Sequence, residues 1–135
     1  MSSLHPRKEV LVVALAALAA TVDASRSVAK APFDGAISKV SYVPDAAITG
    51  ANTDTRTLSV KNRGAAGAGT TVVASLALTN GVNATAFDEK AITLSGTAGN
   101  LVVAAGDVLS FESAHAGTGG LADPGGLIAI EFTRS

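Results

Sequence analysis

The residues of this chain that could do chemistry are few and scattered. Its two histidines are His5, in the polar start of the chain, and His115, at the end of a strand-like run that enters a glycine-rich loop. A histidine metal site on one face of an element needs a partner at short spacing, as in His-x-x-x-His, and neither histidine has one. His115 therefore reads as a solvated loop residue. The acids Asp34, Asp45, Asp54, Asp88, Glu89, Asp107 and Asp123 all lie near turn residues. Asp is favoured there because its carboxylate caps its own backbone, which accounts for the positions without a metal. A calcium loop would need carboxylates at alternate positions, and no D-x-D-x-D run occurs. A pair of glycosidase carboxylates would need a cleft furnished with aromatic side chains and hydrogen-bond donors. With Tyr42 the sole tyrosine and no tryptophan, such a cleft is hard to furnish.

Nucleophiles fare no better. Ser27, Ser38, Ser41, Ser59 and Ser110 lack the G-x-S-x-G setting that exposes a catalytic serine on a strained turn. Residues 64–71, GAAGAGTT, have the small-residue look of a phosphate loop. They lack its lysine and follow no parallel-sheet unit, so they read as a hairpin loop. The chain has no cysteine, which excludes disulfides and thiolate metal sites. No catalytic, cofactor-binding or metal-binding residue is expected. The densest charge cluster, Asp88-Glu89-Lys90 after Phe87, reads as a solvated turn; a salt bridge to a neighbouring subunit is the sharper alternative.

The elements that would have to position any site come from a chain of 135 residues, enough for one domain with a real core. Hydrophobic residues make up 47% and charged residues 16%, a balance that argues against disorder. The apolar share is mostly Ala, Val and Leu, so each core side chain buries little area. A thin core of this kind draws part of its stability from neighbouring subunits. Ten basic and eleven acidic side chains are spread along the sequence with no basic stripe. Nucleic-acid binding by phosphate neutralisation is therefore not expected.

Past residue 28, alternation with period two recurs: Leu58 and Val60, Ile92 and Leu94, Leu109 and Phe111, and Ile128, Ile130 and Phe132 each alternate with polar or small residues. Strands are predicted over 36–43, 57–61, 71–78, 92–95, 109–112 and 128–133. Asp34-Gly35, Pro44-Asp45, Asn80-Gly81, Gly106-Asp107 and the run Asp123-Pro124-Gly125-Gly126 punctuate them. The pattern predicts an all-β antiparallel sandwich, a jelly roll of seven or eight strands. Residues 45–56 are the longest strand-poor stretch, a functional loop or a crossover between sheets.

Residues 1–27 stand apart from this sandwich domain of residues 28–135. Arg7 and Lys8 precede an apolar run over 10–20 that is too short to span a membrane. Three readings remain open: a secretory signal, a helical or extended arm, and a first strand beginning near Glu9. An arm could be removed and leave the sandwich folded.

Three stretches carry a resemblance: residues 31–60, APFDGAISKVSYVPDAAITGANTDTRTLSV, residues 85–94, TAFDEKAITL, and residues 105–109, AGDVL. They resemble the small β-sandwich head decoration, or capsid cement, proteins of tailed bacteriophages, over roughly residues 28–134. The resemblance implies a structural virion protein, assembled in the host cytoplasm, that binds the outer surface of a capsid. It implies a homotrimer whose partner is the major capsid protein, with no enzymatic activity, no cofactor, no nucleic-acid partner and no membrane partner. The matching residues are turns and strand edges, so no site residue is carried over. The alternative is a receptor- or glycan-binding module of a phage fibre or secreted bacterial protein.

Overall fold

The alternating stretches fold as strands because one parity of each is apolar enough to cover a core while the other stays wet. The computed structural model describes residues 7–135. Its strands are β1 (Lys8–Leu15), β2 (Ala24–Lys30), β3 (Gly35–Pro44), β4 (Thr55–Asn62), β5 (Thr71–Leu78), β6 (Lys90–Ala91), β7 (Val102–Val103), β8 (Val108–Ala116) and β9 (Gly126–Arg134). No α-helix occurs among the described residues, and none is long and apolar enough to cross a membrane.

Pairing follows the logic of one long ribbon folded back on itself. β1 pairs with β9, β2 with β8, β3 with β6 and β7, and β4 with β5, all antiparallel. The ribbon then rolls up, so that β9 also lies beside β3 and β8 beside β4. One sheet has the order β1-β9-β3-β6, with β7 also on β3, and the other has β2-β8-β4-β5. This is the jelly-roll arrangement of an all-β sandwich. Inward side chains such as Ile37, Val40, Leu58, Val60, Leu109, Phe111, Ile128, Ile130 and Phe132 meet between the sheets.

One segment differs from the sequence pattern for an identifiable reason, and a second takes one of the two forms left open for it. Residues 92–95 alternate like a strand, yet the ladder stops at Ala91. The Ile92 N–H donates to Val40 O in one sheet, whereas Ser95 N–H donates to Val73 O in the other, so the segment steps across the sandwich. Residues 45–54 are the crossover from β3 to β4. Ile48 plugs the core there and bridges Ala84.

The first part of the N-terminal apolar run, through Leu15, is a strand. β1 pairs with β9 along all eight of its residues, from Lys8 opposite Thr133 to Leu15 opposite Gly126. Leu11 and Val13 pack against the core and Leu15 is buried in it. Residue 28 lies inside β2, where Val28 turns into the core beside a bulge. Of the three readings, the first strand is the one this pairing matches. A chain starting at Ala24 is expected to lose its cooperative urea transition, followed by far-ultraviolet circular dichroism. An unchanged midpoint would show β1 to be dispensable.

Candidate functional site

The most unusual residue is one that alternation places in the core. Arg56 shares its parity on β4 with Leu58 and Val60, and it is fully buried. A buried guanidinium is tolerated only if its N–H groups find acceptors. Nε donates to Leu121 O at 2.5 Å and Nη1 to Ser113 Oγ at 3.0 Å. Nη2 donates to the carbonyls of Ala19 (3.1 Å), Ala20 (3.3 Å) and Val22 (2.9 Å). Those last three belong to the connection between β1 and β2. Gly120 makes the neighbouring close approach possible: at φ +62°, a Cβ there would lie 1.9 Å from Ala20 O.

The network continues to a buried carboxylate. Ser113 on β8 donates to Asp123 Oδ2 at 2.7 Å, and the Tyr42 hydroxyl on β3 donates to Asp123 Oδ1. The Gly125 N–H adds a further donor to Oδ1 at 3.0 Å. Burial, and then the bond to Asp123, push the Tyr42 phenol far above its ordinary range, so it stays a donor. No buried side-chain N or O atom among the described residues lacks a partner. Beside Ser113 and Asp123 lies a cavity of about 50 Å³, walled by Leu15, Leu18 and Phe111. It has room for water but not for an organic substrate. The arrangement can lock segments together.

Of the residues singled out from sequence, Asp123 and Tyr42 meet in this network, and the others fall elsewhere without converging. His5 lies outside the described residues. His115 lies on β8 and not in the following loop; its Nδ1 is 2.6 Å from Asp23 Oδ1, an atom that also accepts its backbone N–H at 2.8 Å. The backbone bond, then the ring contact, hold the Asp23 carboxyl below the usual range. The turn acids cap backbone: Asp34 accepts from Ala105 N–H, Asp54 from Gly119 N–H, Asp88 from Glu89 N–H and Asp107 from Ala104 N–H. Among the described residues no three His, Asp or Glu side chains gather as a metal site.

The outer face of the β1-β9-β3 sheet is the other unusual surface. Val10 and Val12 are 51% and 54% exposed on β1, the terminal strand of its sheet, and Leu127 on β9 is 41% exposed. Register places Val12 opposite Ala129 and Ala14 opposite Leu127, so the apolar residues form one strip. Charges border it: Lys8 meets Glu131 at 3.7 Å and Lys39 meets Glu89 at 2.7 Å. The Lys39 bond holds the Glu89 carboxyl low. Glu89 is thus paired within the chain, and Ser41 also donates to it. Close by in sequence, Phe87 is 77% exposed with a left-handed backbone, φ 62°. That conformation is uncommon for a bulky residue and holds the ring in solvent.

No family model, curated protein or solved structure matches this chain.

Replacing Arg56 by Met is expected to cost on the order of 3–5 kcal/mol, because it strands the buried carbonyls of Ala19, Val22 and Leu121 and breaks the Ser113 relay to Asp123. Urea unfolding reads this directly, and a loss below about 1 kcal/mol would contradict the role given to Arg56. Tyr42 generates a pH signature. Its folded pKa is raised, so its contribution is full below the unfolded value of about 10 and is lost as pH climbs above it. Tyr42→Phe is expected to be less stable at neutral pH yet to decline less steeply than the parent above pH about 10.

Proposed function

We propose that this chain is a structural decoration protein of a phage capsid, which binds the outer capsid surface and does no chemistry. The observation that carries this reading is the exposed aliphatic strip of Val10, Val12, Ala14, Ala129 and Leu127 on a terminal strand. An apolar terminal strand without a shielding bulge or proline is an association surface, and soluble monomers usually mask one. The resemblance of residues 31–60, 85–94 and 105–109 to capsid cement proteins names the partner as the major capsid protein. Phe87 supplies an anchor of the type that dominates interface energies.

The energetics suit a repeated lattice. Burying the remaining exposed area of Val10 or Val12 contributes roughly 1 kcal/mol each, too little for a single tight contact. A homotrimer engaging several capsid subunits at once multiplies such contacts through high effective concentration. A protein bound across subunit boundaries then opposes their separation by linkage.

Capsids lacking the protein, mixed with purified chain and sedimented, test this reading. The parent is expected to co-sediment saturably and as a trimer by mass. Val12→Asp and Phe87→Ser are expected to keep the parent's unfolding midpoint and lose capsid binding by at least tenfold. Saturable binding to host cell-wall material without capsid binding would favour the receptor module instead.

A further inference from the structure

Each sheet ends in two edges, and all of these but one are shielded against adding a strand. β6 and β7, on one side of the first sheet, are two residues long each. β5 is covered along its middle, where Ser75 N–H donates to Thr93 O and Ser95 N–H to Val73 O. β2 carries a bulge between Ser27 and Ala29, and Arg26, opposite the inward Phe111, sets a cation on its inner face. Short edge strands, bulges and inward charges are the devices that keep a sheet from growing. β1 has none of the three. It is eight residues long, without proline, and pairs with β9 with no register shift.

The ladder fixes which groups β1 leaves open. Arg134 N–H donates to Arg7 O at 2.7 Å, so Arg7, Glu9, Leu11, Val13 and Leu15 turn their N–H and C=O groups towards β9. Lys8, Val10, Val12 and Ala14 turn theirs the other way, where no strand among the described residues meets them. Charge stands at both ends of the inner side of this edge. Glu9 shares the parity of Leu11 and Leu15 on β1, and Arg26 lines the cavity beside Leu15 and Ala24. Neither has a salt-bridge partner among the described residues. The carboxylate in that lining, Asp123, is already held by Ser113, Tyr42 and Gly125.

We propose that the open edge of β1 accepts an extended strand of a partner protein, an aliphatic segment with a carboxylate at the end that meets Arg26 and a cation at the end that meets Glu9. Main-chain bonds to Lys8, Val10, Val12 and Ala14 supply the affinity, and alternate side chains supply the selectivity. β-branched side chains on its outer face continue the row of Val10 and Val12. A second copy of β1 is the poorer occupant. The two-fold register that pairs every open residue sets Lys8 against Ala14 and Val10 against Val12, and so sets Arg7 against Leu15, beside Arg26. Like charges then meet at both ends of the pairing. The inference concerns the backbone edge of β1 and not its outward face, so it stands apart from the capsid reading.

Amide NMR of the full chain, titrated with the synthetic peptides EVTVTVKT and KVTVTVKT, tests the assignment. Laid antiparallel along β1, the first peptide sets its glutamate opposite Leu15, beside Arg26, and its lysine opposite Glu9. The second sets lysines at both places. Saturable shifts at Lys8, Val10, Val12 and Ala14 are expected with EVTVTVKT, and KVTVTVKT is expected to bind about fivefold more weakly. Arg26→Gln, at an exposed position, is expected to fold as the parent does and to remove that preference. Val12→Pro deletes an N–H that β9 does not use and puts a ring in the path of an added strand. It is expected to keep the β9 ladder and to weaken EVTVTVKT binding about tenfold or more. No saturation, equal binding of the two peptides to the parent, or undiminished binding by Val12→Pro would overturn the proposal. So would a concentration-dependent dimer of the parent that Val12→Pro abolishes, since the edge would then belong to a second copy. The titration contains no capsid, so it can fail while co-sedimentation succeeds, and the reverse.

Discussion

A guanidinium with no access to water constrains everything around it. Desolvating a cation costs several kcal/mol even after relaxation, so Arg56 is admissible only where carbonyls already converge on it. Here the acceptors come from three places distant in sequence: the β1–β2 connection, β8, and the loop before β9. None of these segments could shift without leaving an N–H or a carbonyl unpaired. Ser113 relays the arginine to Asp123, and Asp123 reaches Tyr42 on the other sheet. The chain of bonds thus crosses the sandwich from β4 to β3. Aliphatic contacts would hold the sheets together in many slightly different registers, whereas this network is satisfied in one.

That division of labour fits the composition. Most core side chains are Val, Ile, Leu and Ala, with Tyr42, Phe111 and Phe132 among the few large rings. Small aliphatics fill space but specify poorly, and the buried polar chain supplies the specificity. It also explains how β1 can be both a terminal strand and part of the domain. Eight ladder residues fasten it to β9, and the connection leaving it is gripped by Arg56 through three carbonyls. Leu18 adds a two-way backbone bridge with Asp123, which brings the carboxylate's own main chain into the same lock.

Most of the sandwich was legible from alternation, most cleanly in β9, which buries Ile128, Ile130 and Phe132 in turn; register shifts in the β3–β9 and β4–β5 ladders blur it elsewhere, so that β5 exposes Val72 and buries Val73 beside Ala74. Periodicity could not separate residues 92–95 from a true strand. Their alternation is real, but successive residues bond to different sheets. The buried network was readable in principle. Arg56, Ser113 and Tyr42 occupy core-parity positions on strands whose other inward residues are apolar, and such a mismatch marks either a slip in register or a polar cluster. What sequence could not supply was the set of backbone carbonyls that complete it, since carbonyls carry no residue signature. Asp123 was hidden for a similar reason: a turn aspartate that caps Gly125 looks the same as one that also anchors a tyrosine.

The two faces of β1 separate what the fold requires from what the proposed association uses. Its inward residues Leu11, Val13 and Leu15 commit the strand to the core, and the pleat then forces Val10, Val12 and Ala14 outward. An apolar residue at those outward positions is not required by the fold, because any residue compatible with a strand would keep the ladder. Val at both, beside Leu127 and Ala129 on the neighbouring strand, suits the strand and makes the surface on which the proposed association rests. The same reasoning applies to Phe87, whose ring contributes little burial while its backbone sits in a conformation that costs of order 1 kcal/mol. Positions that are costly or neutral for the isolated domain, and apolar all the same, are where a partner surface has to be sought.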